Sequence, residues 1–176
     1  MSIESKTLRL SDGGIVSFRP VEPGDTPLLL DAYASTRAEE LAQTNWDQSM
    51  RDAFLRTQFT AQQADYQTNY PGARHLIILL NGKGSGRIWL AQIGSDTGDA
   101  QTQILDITIL PRFRNTGLGT AIIRDLMEQS SASGTVLSIY VESYNRSLGM
   151  FERLGFKKAG EVGYSYLMKF DGRLRG

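Results

Sequence analysis

The 176-residue chain has no cysteine and a single histidine. Without thiols it can form no disulfide, no thiolate nucleophile and no zinc–thiolate site, which fits a reducing compartment. Neither sign of charge is in excess: 19 Lys and Arg face 19 Asp and Glu. Nothing in that balance points to nucleic acid or to an anionic membrane. No apolar run approaches the roughly 20 residues of a membrane-spanning helix. The opening MSIESKTLRL has no basic segment followed by an apolar one, so no secretory leader is expected. Repeats, linkers and low-complexity tracts are also missing. The expectation is a single cytosolic domain over residues 1–176, long enough to bury a core without staples.

The patterns that are present alternate between period 2 and period 3.6. GGIVSFRPV (13–21) reads as a short strand closed by Pro20 and Pro23. In PGDTPLLLDAYAST (23–36), Asp25 is placed as an N-cap and Pro27 in the first turn of a helix, with Leu28, Leu29 and Tyr33 on its apolar stripe. A longer helix is expected within 45–72. Leu55, Phe59, Gln62 and Tyr66 fall at helical spacing there, and Pro71-Gly72 stops it. RHLIILLNG and GRIWLAQIG read as strands joined by a glycine-rich hairpin loop over 81–86. DTGDA (96–100) reads as a turn, and QTQILDITIL (101–110) as a strand ended by Pro111. Leu118, Ile122 and Leu126 mark a helix over 117–130, followed by a loop at SASG. A strand (TVLSIYVES), a short helix capped by Gly155, and a final strand pair (FKKAGEV and YSYLMKF) complete an α/β order of β-α-α-β-β-β-α-β-α-β-β.

The stretch RFRNTGLGTAII (112–123) lies where a strand hands over to a helix. The leading amides of a helix lack intrahelical partners, and the helix dipole puts partial positive charge there. Gly117 and Gly119 bring no side chain to block an anion from those amides. Arg114 can add charge-assisted hydrogen bonds and Thr120 a hydroxyl. A P-loop would need a lysine after the second glycine, and a dinucleotide fingerprint a third glycine where Ile122 stands. Arg-x-x-Gly-x-Gly remains, and taken alone it is either an anion site or a structural turn.

ILDITILPRFRNTGLGTAIIRDLM resembles the acetyl-coenzyme-A-binding motif of the GNAT acetyltransferase superfamily. NRSLGMFERLGF (145–156) is similar to that family's second motif. The order of elements matches from residue 14 onward. The resemblance implies a GNAT fold, a mixed central sheet of about seven strands flanked by helices, with acetyl-CoA as cosubstrate. It implies that Arg114 and the amides of Asn115, Thr116, Gly117, Leu118, Gly119 and Thr120 hold the pyrophosphate. Main-chain groups of Ile107, Thr108 and Ile109 would pair with the pantetheine arm, an N–H there would stabilise the oxyanion, and Asn145 would contact the arm. A splay between strands beside this segment would form the arm's slot.

The second motif usually carries a tyrosine where this chain has Phe151, the residue expected beside the arm. That tyrosine protonates the departing thiolate. A thiolate at pH 7 is disfavoured by only about 2 kcal/mol, so its loss is tolerable. Tyr144 is the first substitute, with Tyr164 and Tyr166 behind it. For the base that deprotonates the acceptor amine, Asp106 comes first, on a strand where Leu105, Ile107 and Ile109 are apolar. The competing reading points it to solvent or pairs it with an arginine. Glu142 is second.

Other conspicuous residues receive plainer readings. His75 is assigned a surface or capping role, Trp46 a packing role or a wall of the acceptor pocket, and Trp89 a place in the core. Lys157 and Lys158 are too few to signal nucleic acid. The expected function is acetyl transfer from acetyl-CoA to a primary amine, on a small molecule or a peptide, by direct attack in a ternary complex. No metal, nucleic acid or membrane partner is expected, and a homodimer stays open. The alternatives are an acyl-CoA-binding module with weak or no activity, which Phe151 favours, and an interaction domain that has kept the fold.

Overall fold

The computed structural model of the chain describes residues 2–94 and 100–175. One mixed sheet contains β1 (Leu8–Arg9), β2 (Ile15–Pro20), β3 (Arg74–Leu80), β4 (Lys83–Ile93), β5 (Gln101–Ile109), β6 (Val136–Glu142), β7 (Lys157–Val162) and β8 (Ser165–Asp171). Their order across the sheet is β1-β2-β3-β4-β5-β6-β8-β7. Every neighbouring pair is antiparallel except β5 and β6, which run parallel. The helices are α1 (Thr26–Ala42), α2 (Gln48–Asn69), α3 (Leu118–Ser133) and α4 (Leu148–Leu154). Among the described residues none is long and apolar enough to cross a membrane. Residues 95–99, and with them most of the turn expected at 96–100, lie outside the described residues.

Alternation along β3 sorts the core into two faces. Leu76 and Ile78 join a large cluster with α3 (Leu118, Ile122, Ile123, Leu126) and with Phe151 and Phe156. Ile77, between them, joins a smaller cluster with Leu29 and Tyr33 of α1 and Phe59 of α2. The helical stripes read from the sequence are therefore the buried ones. Left-handed glycines at Gly134 and Gly155 end α3 and α4, as expected for Gly155. The expected SASG loop is instead the last turn of α3, with only Gly134 outside it.

Four expectations need correction. The sheet has eight strands rather than about seven, because Leu8 and Arg9 pair with Val16 and Ile15; two residues are too short to show a period. The glycine-rich loop is a two-residue turn at Asn81-Gly82, both left-handed, and Gly84 and Gly86 lie within β4. A Cβ on Gly84 would sit 2.4 Å from Leu28 Cδ1 of α1, so the glycine there serves a close approach. Asp25 precedes α1 but caps nothing in it. Its carboxylate accepts two 2.8 Å bonds from Arg19 and one from the Glu22 amide, and the guanidinium holds it down at about 2. His75 is half-buried rather than fully at the surface: its ring stacks on Trp89 at 3.9 Å, and burial, aided by the charge of Arg87, pushes it down to about 3.

Candidate active site

The parallel ladder between β5 and β6 runs only from Gln101↔Val136 to Ile104↔Ile139. Both strands continue beyond it, β5 to Ile109 and β6 to Glu142, without pairing to each other. The two strands therefore part towards their carboxyl ends and leave a slot. That end of a parallel pair is the usual place for a ligand in α/β sheets. A bulge accompanies the parting. Trp89 faces Asp106 and Leu90 faces Ile104, which leaves Leu105 as the extra residue of β5. The Leu105 carbonyl accepts a 3.1 Å bond from the Tyr66 hydroxyl of α2. Burial, with the charge of Asp106, pushes that hydroxyl up to about 12, so it remains a donor.

Beyond Ile109, a single turn at Pro111–Phe113 leads into α3. Asn115 and Gly117 both adopt left-handed conformations, at φ 60 and 83. They turn the chain so that α3 starts without a side-chain cap. The first intrahelical bond is from the Ala121 amide to the Gly117 carbonyl, so the amides of Leu118, Gly119 and Thr120 have no partner within the helix. A Cβ on Gly117 would meet nothing within 4 Å, and one on Gly119 only Ile109 Cγ1 at 3.9 Å. The space before these amides is open, and it fits an anionic group such as a pyrophosphate. Arg114 is exposed beside it, donating from Nε to the Ile109 carbonyl at 2.9 Å and from Nη2 to Ser35 Oγ at 3.1 Å. Thr116 bonds the Phe113 carbonyl, and Thr120 lies 3.5 Å from the Met150 sulfur. Leu118 contributes only main chain here, because its side chain is in the core.

Asp106 stands just past the point of parting. Its Oδ2 accepts from Arg87 Nε at 2.8 Å, and its two oxygens lie 3.3 and 3.2 Å from the Thr108 hydroxyl. The reading that paired Asp106 with an arginine is thus realised, although its side chain keeps 19% of its exposure. Ile107 and Ile109 lie on the opposite face, packed on the large core. Glu142 ends β6 across the slot; burial and the Glu142 charge raise the Tyr144 phenol above its ordinary value. Tyr144 is 71% exposed. Tyr164 is placed nearby through the bond from the Ser143 amide to its carbonyl, whereas Tyr166 lies under Lys158. Asn145 Oδ1 accepts from the amide and hydroxyl of Ser147 and so shapes the entry to α4. Phe151 is 2% exposed, edge-on to Phe156. Trp46 packs edge-on to Phe54.

The fold thus gathers Asp106 to Ile109 and Arg114 to Thr120 along one side of the slot, and Glu142, Tyr144 and Asn145 beyond its other side. Sequence reasoning missed Arg87, Gln62 and the polar role of Tyr66. A lone arginine between the glycines and apolar residues of a strand was the available signal for the first.

A family model described as "Acetyltransferase (GNAT) family" matches residues 38–156. Over 60 residues the chain is 38% identical to a glucosamine 6-phosphate N-acetyltransferase of Trypanosoma brucei brucei, covering 34% of this chain and 40% of that protein. It therefore aligns with well under half of that relative. Two solved structures are similar in fold. The PaiA N-acetyltransferase of Thermoplasma acidophilum in complex with coenzyme A superposes with a TM-score of 0.63 at 15% identity, over 89% of this chain and 98% of that one. RimJ of Mycobacterium smegmatis, in complex with CoA-disulfide, gives 0.63 at 16% identity, over 94% and 86%.

Proposed function

This chain belongs to the acetyltransferase (GNAT) family, and on that premise we propose that it moves an acetyl group from acetyl-CoA to a primary amine by direct attack in a ternary complex. The observation that carries the reading is the parting of β5 and β6 into the uncapped start of α3. When bound, acetyl-CoA supplies an activated thioester. The amides of residues 115–120 hold its pyrophosphate, and Arg114 adds charge after giving up the Ile109 carbonyl. The main chain of Ile107, Thr108 and Ile109, which has no β6 partner beyond Ile104, pairs with the arm. Asn145 borders the arm from the α4 side. Asp106 takes the proton that the amine gives up as it attacks, with Glu142, at the end of β6, as the second candidate. No cysteine is present to carry an acyl group, which favours direct attack. The named activity of the trypanosomal relative and the coenzyme A of the fold neighbours support this reading. The strands from β1 to β8 share one sheet, which supports a single domain, and a cytosolic location is part of the same proposal.

A second reading, an acyl-CoA-binding module without transfer, is favoured by Phe151 alone, which brings no acid to the thiolate. Calorimetric titration with acetyl-CoA, combined with a thiol-release assay over a panel of amines, separates the two. Binding with release supports transfer, and binding without release from any amine supports the module. Gly119→Val tests the placement: only Ile109 Cγ1 lies near, so the fold should persist while cofactor affinity is lost. Wild-type affinity in that variant would remove the pyrophosphate from the start of α3.

A further inference from the structure

We propose that Arg87 is a positioning residue for proton transfer, acting through Asp106, with Gln62 of α2 holding the guanidinium from its far side. The proposal rests on Asp106 being the group that takes the amine's proton. Arg87 is the largest fully buried side chain among the described residues, with 1% of its side chain exposed. A guanidinium is expensive to bury, and a well-packed apolar pair often serves stability as well or better. Its retention in the middle of the sheet calls for a reason beyond packing.

The geometry supplies one. Nε donates to Asp106 Oδ2 at 2.8 Å, Nη2 donates to Gln62 Oε1 at 2.7 Å, and the guanidinium lies 5.9 Å from the centre of the Phe59 ring. The planar fork thus has two of its corners fixed by different elements, which sets its orientation and not only its distance. One carboxylate oxygen is pinned, and Oδ1 keeps only the longer contact to Thr108. Asp106 therefore retains an oxygen free to accept a proton, in a fixed direction. Four residues further along the same face of α2, Tyr66 holds the Leu105 carbonyl. Leu105 and Asp106 are the residues at which β5 leaves β6. One face of α2 thus grips both, and places the base relative to the slot. In the transfer step the amine nitrogen forms a C–N bond, the thioester C–S bond breaks with the sulfur leaving as thiolate, and the amine's N–H bond breaks as an O–H bond forms on Asp106, while Arg87 keeps its own protons throughout.

The test is a double-mutant cycle on the full chain, read with the amine that gives the fastest thiol release in the panel. Arg87→Met should lower kcat about tenfold or more while the KM for acetyl-CoA stays within about twofold. On the Asp106→Asn background the same change should alter kcat by less than about twofold, because nothing remains to position. Gln62→Leu, on a half-buried helix face, should give a smaller loss that also vanishes on that background. It carries the cycle if Arg87→Met does not fold. An independent readout needs no turnover: the Nε–H of Arg87 in a ¹⁵N-labelled sample should be protected from exchange in the wild type and exchange faster in Asp106→Ala, which removes its acceptor. Equal effects of Arg87→Met and of Gln62→Leu with and without Asp106 would overturn the proposal while leaving the base in place. Full kcat in Asp106→Asn would overturn both. An Nε–H indifferent to Asp106→Ala would overturn the positioning contact.

Discussion

Gly86→Ala adds one methyl group at the tightest contact in the sheet. The new Cβ would lie 2.2 Å from the Thr108 carbonyl oxygen, 3.1 Å from Ile109 Cα and 3.2 Å from the Thr108 carbonyl carbon. All three are backbone atoms, so no rotamer change relieves the clash. Ordinary contact begins at 3.4 Å, so β5 must retreat by 3.4 − 2.2 = 1.2 Å. That retreat opposes the Gly86↔Ile109 pairing and the 2.9 Å bond from the Leu110 amide to the Ser85 carbonyl. Overpacking of this kind costs about 1–3 kcal/mol. For a chain of this size the melting temperature should fall by about 2–12 °C. The retreating segment also carries Thr108 and Ile109, which edge the slot. A shift of about 1 Å there should slow thiol release by about a hundredfold, well beyond the effect on folding. Gly119→Ala is the control, since its Cβ would find only Ile109 Cγ1 at 3.9 Å and should leave the melting temperature unchanged. Thermal unfolding and thiol release at saturating acetyl-CoA measure both effects. If Gly86→Ala melts and turns over like the wild type, β5 is not held where this argument requires.

Phe151→Tyr should leave thiol release within about threefold of the wild type, because the departing thiolate is only about 2 kcal/mol uphill at pH 7 and the ring is sealed against Phe156; a gain of about tenfold or more would show that protonation of the leaving group limits the rate. His75 is held at about 3 when folded, below the ordinary 6.5, so the unfolded chain binds the extra proton and stability is lost as pH falls through that window. His75→Phe keeps a ring on Trp89 and should flatten the fall in melting temperature between pH 7 and 4; an unchanged slope would assign the acid sensitivity elsewhere. The Asp25 contribution begins only lower, between 3.8 and about 2, so it does not mask the effect.

What could be read in advance was whatever is written in consecutive residues. Arg114, Gly117 and Gly119 lie in one short run, and their placement at the start of α3 follows from local chain geometry. The glycines of β4 are equally close in sequence, but the reason for them is not local. Leu28 of α1 crowds Gly84 and β5 crowds Gly86, and glycine density without those partners looks like a loop. The helical stripe Leu55, Phe59, Gln62, Tyr66 was visible as a period. What the period could not show is that its two polar members reach across to Arg87 and to the Leu105 carbonyl. Arg87 and Asp106 are 19 residues apart, and only the register of β4 on β5 makes them partners.

That register contains the least legible feature of all. Ile104 packs in the large core, and so do Ile107 and Ile109, although an uninterrupted strand would send residues 104 and 107 to opposite faces. The bulge at Leu105 changes the phase: Leu90 faces Ile104, but Trp89 faces Asp106. Without the extra residue, Asp106 would share a face with Ile104 and point into the apolar cluster, where an unpaired carboxylate is not tolerated. With it, Asp106 and Thr108 turn to the side where Arg87, Gln62 and Tyr66 stand. A run such as QILDITIL allows either phase, and alternation alone cannot choose. The choice is made by partners from α2 and β4, at the same residue where β5 leaves β6. One irregularity in the strand thus both opens the slot and turns the candidate base out of the core.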